Sequence, residues 1–296
     1  MFTAEERRQY IGGSDIATIM GMNRWKTPLT LWLEKTGEID NDIKSNNEAI
    51  ELGTELEDFV AKKFSKQTGL KVRKRSEKYT HKKYPFLVAH VDRLISGSQE
   101  LLECKTCSAY KQNEWIGDEI PKEYILQVIW YLGITGRKKG YIAVLIGGQS
   151  FKYKTIEFDE ELFNLMVEMA VDFWNCVQTK TMPALTPEDN EIMTKIYPTP
   201  NDEYIENQEL ESQVEKLVNI KADLSALDIE RKMLEAELKN IINTHAGILT
   251  NKYKVSWFRC VKQTVNTDKL KTDNLFDKYS NKLEYRTLRV AKKEVA

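Results

Sequence analysis

Cysteine is scarce in this chain, and the four that occur, Cys104, Cys107, Cys176 and Cys260, lack the spacing of a disulfide framework. A stapled secreted scaffold is thereby excluded, and the thiols are expected to be reduced. Cys104 and Cys107 form a CxxC, but zinc needs a second ligand pair at matching spacing, which neither Cys176 nor Cys260 supplies. Small residues buried on or just after a strand are the expectation instead. Long apolar runs are also missing: none approaches the roughly 20 residues that span a bilayer, and Met1 to Tyr10 is charged where a signal peptide would be apolar. A soluble, cytoplasmic protein with no membrane association is expected. Net charge is nearly absent, since 44 Lys and Arg stand against 45 Asp and Glu. That balance excludes a uniformly basic binder and confines any nucleic-acid surface to a local patch. Between Asn201 and Thr244 there is neither glycine nor proline.

What is present divides into zones. The 296 residues can hold one domain of ordinary size with an appendage. Gly12, Gly13 and Ser14 precede the apolar-periodic Ile16, Ile19 and Met20, a loop feeding a helix. A second helix is predicted over Glu48 to Gln67, with Leu52, Leu56, Phe59 and Phe64 as its buried stripe and Gly69 as its end. Period-two, β-branched segments follow at Phe86 to Ile95, Glu100 to Thr106, Tyr141 to Ile146 and Phe151 to Phe158. The first two are joined by the short turn Ser96 to Gln99 and should form a hairpin. Pro121 suits a helix start, and Gly133 or Gly136 its end. A further helix is read at Glu160 to Gln178, and prolines at 183, 187, 198 and 200 then mark a linker. The predicted division is therefore a domain at 1–182, a linker at 183–203 and an extension at 204–296. In the extension Leu210, Leu217, Ile220, Leu224, Leu227, Leu234, Leu238 and Ile241 follow heptad spacing, interrupted by Arg231. A long helix or helical hairpin is expected, followed by a small terminal β-hairpin within Lys252 to Gln263.

The stretch FLVAHVDRLISGSQELLECKT carries the chemistry. Asp92 on one strand is followed across the turn by Glu103 and Lys105, which alternation puts on one face of the next strand. Two carboxylates converging on one point repel unless a cation lies between them, and such hard oxygen ligands favour magnesium or manganese. Lys105 could position a water or neutralise charge on a phosphate. Of the acids on the preceding helix, Glu57 lies beside the buried stripe and is the first choice for a third acid, with Glu51 second. Glu55 lies about 200° round the helix at 100° per residue. Gln127, flanked by Ile125, Val128 and Tyr131, points either at the site or into the core as a satisfied amide. His90 is read as either touching the site or merely packed.

These segments resemble the PD-(D/E)XK nucleases, and within them the YqaJ-type viral recombinase exonucleases related to lambda exonuclease. The likeness runs through IGGSDIATIMGMNRWKTPLTLWLEKTG, GTELE, HVDRL, ECK and QVIWY, the last as the Gln-x-x-x-Tyr element of RecB-type nucleases. Val91 stands where the nominal proline of the signature would be. The resemblance implies an α/β core with a mixed sheet flanked by helices, to which the heptad spacing adds a helical, coiled-coil-like carboxy-terminal extension. It implies Glu57, Asp92 and Glu103 as metal ligands, Lys105 as the catalytic lysine, Gln127 as a support, Tyr131 as a DNA contact, and two Mg²⁺ ions per site, replaceable by Mn²⁺. The implied activity is 5′ to 3′ digestion of linear duplex DNA from a free end by a ring-shaped homotrimer. The single strand would pass to an annealing protein in phage-type recombination, inside a bacterial host that carries a phage or prophage. An endonuclease built on the same acids, or an inactive DNA-binding scaffold, are the rival readings.

A basic run between Lys62 and Lys83, including Lys71, Arg73, Lys74 and Arg75, contains a single acid, Glu77. It reads either as a phosphate-backbone track or as a solvated face. Tyr79, Tyr84 and Phe86 interleave with it and could stack on bases. Ser14, Arg24 and Lys26 are the candidates for the 5′-phosphate pocket that the resemblance implies.

Overall fold

Why Asp92, Glu103 and Lys105 meet is explained by the strand that carries two of them. The computed structural model describes residues 3–39, 48–75, 77–201, 203–282 and 286–291. Its first unit, Met1–Met193, runs α1 (Ala4–Arg8), α2 (Gly13–Ile19), α3 (Pro28–Thr36), α4 (Glu48–Thr68), β1 (Val72–Lys74), β2 (Lys78–Thr80), β3 (Val88–His90), β4 (Arg93–Ile95) and β5 (Glu100–Cys107). A 3-10 turn at Ala109–Trp115 leads to α5 (Lys122–Thr135), β6 (Lys139–Ile146), β7 (Ser150–Glu157), α6 (Glu160–Thr179) and α7 (Asn190–Ile196), the last reaching just past the unit's end.

Five strands form a mixed sheet in the order β1-β4-β5-β6-β7, with β5 central. β4 and β5 are the predicted hairpin, with Arg93 opposite Leu102 and Leu94 opposite Leu101. β5 and β6 run parallel. A tight turn cannot join parallel neighbours, and α5 is the crossover. It ends at Gly136, whose φ of 68° is the left-handed conformation that glycine adopts freely.

The strand expected over Phe86 to Ile95 is two strands in two sheets. β3 pairs with β2, β4 pairs with β1 and β5, and the break falls at Val91 and Asp92. β1 and β2 come from the basic run, where charge masks their alternation.

The two faces of β5 have different company. Leu102 and Cys104 pack with Val60, Ala61 and Phe64 of α4, together with Ile95, Tyr141, Ala143 and Leu145. Full burial of Phe64 contributes about 2 kcal/mol or more. The stripe expected on α4 is corrected here: Leu52 and Phe59 are exposed, and the inward face is Leu56, Val60 and Phe64. The apolar residues of α4 wrap round more than one side, so periodicity alone picked the wrong pair. On the other face of the sheet, Leu101 and Val128 of α5 close on Gly140, where an added Cβ would lie 3.0 and 3.1 Å from them.

The second unit, Thr194–Ala296, contains α8 (Glu211–Ile242), one continuous helix where a hairpin was the alternative. Its heptad leucines are largely in solvent, for example Leu224 and Leu227, and Arg231 is ion-paired along the helix with Asp228 and Glu235. β8 (Gly247–Leu249) and β9 (Lys254–Ser256) make a short hairpin, followed by α9 (Thr267–Thr272) and α10 (Phe276–Tyr279). The division between the units falls inside the expected linker at 183–203. Residues 283–285 and 292–296 of the expected extension lie outside the described residues. No described helix is long and apolar enough to cross a membrane.

Candidate active site

A cleft of about 570 Å³ opens where α2, α4, β5 and α5 converge. Glu103 and Lys105, two apart on β5, both face it, as alternation requires. Lys105 Nζ lies 2.6 Å from Glu103 Oε1. Gln127 of α5 joins them: its Nε2 donates to Glu103 Oε1 at 2.8 Å, and its Oε1 accepts from Lys105 Nζ at 3.0 Å. The same Nε2 donates to the Tyr131 hydroxyl at 2.7 Å, one helical turn further on. Of the two readings of Gln127, the amide aimed at the site is the one found.

Asp92 sits in the break between β3 and β4 and accepts the Cys104 N–H at 2.8 Å. Burial, and then the nearby Glu103, push its carboxyl well above the usual aspartate range. Burial would lower Lys105, but Glu103 and Asp92 outweigh it and the ammonium is pushed up to about 12. Beside these acids the ammonium is the favoured form, and it donates hydrogen bonds. Glu103 is 2% exposed, and its Oε2 has no hydrogen-bond partner among the described residues. An orphaned carboxylate oxygen beside a second acid that resists ionisation fits a hard divalent cation.

Glu57 of α4 reaches the same cleft, whereas Glu55 and Glu51 are exposed and do not line it. Its carboxylate is already partnered. Arg93, buried on the α4 side of the sheet, is ion-paired with both Glu57 and Asp58, and its Nη1 also donates to the Asp92 carbonyl at 2.7 Å. Among the described residues no three of His, Cys, Asp and Glu come together closely enough to hold a metal. Asp92, Glu103 and Glu57 thus share the cleft, and of the three Glu57 is the one already engaged by Arg93.

Ser14 lines the cleft with Gly12, Gly13 and Asp15. Gly13 is required there, since a Cβ would fall 2.4 Å from the Tyr131 ring. Tyr131 itself is buried, and burial followed by Glu103 raises its phenol well above the ordinary value. Arg24 and Lys26 do not line the cleft: Arg24 pairs with Glu114 at 2.8 Å and Lys26 with Glu34 at 2.6 Å. The arginine that does is Arg7, whose Nη2 donates to Ser14 Oγ at 3.4 Å. Sequence reasoning passed over it, because Met1 to Tyr10 read only as a charged segment with no pattern to single out Arg7. It also passed over Lys35, which is buried and donates to the Arg7 carbonyl at 2.7 Å and to Asp15 at 2.8 Å. Lys71, Arg73 and Lys74 are exposed on or beside β1, with Lys74 Nζ 4.0 Å from Glu57, while Arg75 is paired with Glu77. Two of the rings expected to stack on bases are engaged within the protein: Phe86 lies on Trp174 and Tyr84 on His81. His90 lines the cleft, although the break after β3 removes the strand argument that placed it there.

Residues 4–138 match the family of the YqaJ-like viral recombinase domain. The chain is 39% identical over 294 residues to the uncharacterized protein YqaJ of Bacillus subtilis strain 168, covering 95% of this chain and 91% of the relative. The chain belongs to the YqaJ family. Among solved structures it is similar to an alkaline exonuclease from Laribacter hongkongensis, with a TM-score of 0.50 at 19% identity over 59% of this chain and 91% of that one. The same exonuclease in complex with dAMP matches with the same TM-score and coverage at 22% identity. The fold of this YqaJ-family chain is accordingly the PD-(D/E)XK fold, carried by its first unit, with a largely helical region after it.

Proposed function

We propose that the chain is a divalent-cation-dependent deoxyribonuclease that digests linear duplex DNA from a free end, 5′ to 3′. The observation that carries this reading is the Glu103, Lys105 and Gln127 cluster beside Asp92 in one cleft. Asp92 and Glu103 would hold one cation, with Mg²⁺ favoured and Mn²⁺ able to replace it. A second ion, as the family resemblance implies, would require Glu57 to give up Arg93. When bound, such a cation lowers the pKa of a water and stabilises charge on a phosphate. Lys105 holds its proton at Nζ and supplies fixed positive charge to the phosphate under attack. Gln127 keeps Lys105 and Glu103 in register by bonding to both.

Membership of a viral recombinase family and the fold shared with an alkaline exonuclease support the reading. So does the cleft's Arg7 with Ser14, a cation and a hydroxyl suited to a terminal phosphate. The same reading takes the product strand to a single-strand annealing protein and the active form to a homotrimer, in a bacterial cell that carries a phage or prophage. The exposed Lys71, Arg73 and Lys74 would follow the phosphate backbone. Reversing them to Glu should flatten the salt dependence of DNA binding by roughly one log unit for each phosphate left without its cation.

The test is an assay of linear duplex with 5′-phosphate, linear duplex with 5′-hydroxyl and closed circular DNA, with and without Mg²⁺. Loss of linear duplex only, only with Mg²⁺ and not in Glu103→Gln, is expected. Digestion of the closed circle would make the protein an endonuclease, and no digestion of any substrate would make it a binding protein.

A further inference from the structure

Two large aromatic side chains of the first unit stand in solvent on segments that continue from the cleft: Trp25 is 82% exposed and Tyr110 98%. An exposed indole forgoes the apolar burial that usually places Trp inside, yet this one is on a built support. Gly21, at φ 68°, turns the chain out of α2. Asn23 Oδ1 accepts the backbone N–H of Trp25 at 2.8 Å, while Asn23 Nδ2 donates to Thr18 Oγ1 at 3.0 Å. Tyr110 opens the 3-10 turn that Ser108 caps. The two loops are tied to each other, because Arg24 pairs with Glu114 at 2.8 Å and Lys111 Nζ lies 5.7 Å from the centre of the Trp25 ring.

Both loops start close to the chemistry. One leaves α2, whose first turn lines the cleft, and the other leaves β5 just after Lys105. Lys105 Nζ lies 5.1 Å from the Tyr124 ring centre, and Tyr124 stacks at 5.8 Å on Trp115 of the same 3-10 turn.

We propose that Trp25 and Tyr110 form a stacking platform for unpaired bases of a DNA strand, with Arg24 and Lys111 beside its phosphates, on the loops that leave the cleft. The inference rests on the nuclease reading. Every base has a π-face, so such a platform holds a strand without reading its sequence, and neighbouring cations add to the attraction.

Binding is measured on the full chain in EDTA, by fluorescence anisotropy, with a short oligothymidylate and with an abasic oligomer of the same length and charge. The wild type is expected to prefer the oligothymidylate about tenfold, the effect of stacking one base. Trp25→Ala and Tyr110→Ala should lose most of that preference and keep their affinity for the abasic oligomer, while Trp25→Phe should retain it. Variants that keep the full preference, or lose both oligomers equally, would overturn the platform. Cleavage of linear duplex with Mg²⁺ is followed alongside. A wild type that cuts but shows no base preference overturns the platform alone, whereas one that does not cut overturns the nuclease reading.

Discussion

Arg93 is ion-paired with Glu57 across the space between β4 and α4, so the third acid of the cleft arrives with its charge already balanced. Because Arg93 is almost wholly buried, removing Glu57 leaves its guanidinium to Asp58 and the Asp92 carbonyl alone. Glu57→Ala should therefore cost about 1 to 2 kcal/mol of stability, the scale of one charged hydrogen bond lost, as well as activity, and Glu55→Ala should cost neither. Denaturation curves and cleavage rates on the two variants check this, and equal losses in both would show the helix phase to be misread.

Glu103 and Asp92 push the Lys105 ammonium up to about 12. Lys105→Met should reduce the cleavage rate by about 100-fold or more with duplex binding nearly unchanged, the scale seen when one preorganised charge is removed from a reacting centre. Any alkaline limb of the rate profile between pH 7 and 10 should survive in Lys105→Arg. A limb in that range that vanishes with arginine would mean that Lys105 titrates as a base.

Gln127 touches Glu103 and Lys105 without being an acid or a base. Its loss in Gln127→Leu should lower the rate about 10-fold and weaken Mn²⁺ binding to a similar degree, as expected of a residue that orients ligands. Calorimetric Mn²⁺ titration that matches wild type would remove the orienting role.

Lys35 and Asp15 hold the first turn of α2 in place. Burial would raise the Asp15 carboxyl, but Lys35 outweighs it and keeps the group below the ordinary aspartate value. A depressed folded pKa contributes stability above the unfolded value near 4, and that contribution is lost as pH falls through the folded value. Asp15→Asn should consequently be about 3 kcal/mol less stable than wild type at pH 7, with the gap closing below pH 4. A gap that stays constant down to pH 3 contradicts the pairing.

The end-binding cation is expected to be Arg7. Arg7→Ala should abolish a preference for 5′-phosphorylated over 5′-hydroxyl ends, while Arg24→Ala and Lys26→Ala should slow both ends alike. Comparing the two ends on wild type and the three variants decides it, and a preference lost only in Arg24→Ala or Lys26→Ala would move the phosphate pocket to those residues.

The parts of the site that were legible are those fixed by short-range geometry. Glu103 and Lys105 share a face because strands alternate, a four-residue turn brings Asp92 beside them, and helix phase singled out Glu57 from Glu55. What escaped was charge in the interior. Lysine and arginine read as solvent-facing by default, so Lys35 and Arg93 gave no signal by residue type. For Arg93 a signal existed in the pattern: it has the same parity as Ile95, which packs toward α4, and a cation on that face needs an acid from the helix above it. The break at Asp92 escaped for a different reason: the polar pair Asp92-Arg93, followed by the apolar pair Leu94-Ile95, interrupts the alternation where the chain changes sheet, and the run was read through it as one strand.

The mixed order of strands has a kinetic consequence. Glu103 and Lys105 lie on one strand of an antiparallel hairpin and Asp92 immediately before the other, so its few-residue loop brings them together quickly, while Gln127 rides on the crossover that must wait for β6 to pair in parallel with β5. Contacts at greater sequence separation form more slowly, since the loop has to be closed before they are gained. During folding the two acids are thus brought together before the amide that orders them arrives, and the repulsion between them works against the hairpin through that interval. A divalent cation in the refolding buffer, by screening that repulsion, should speed the folding of this protein and not merely stabilise its end state.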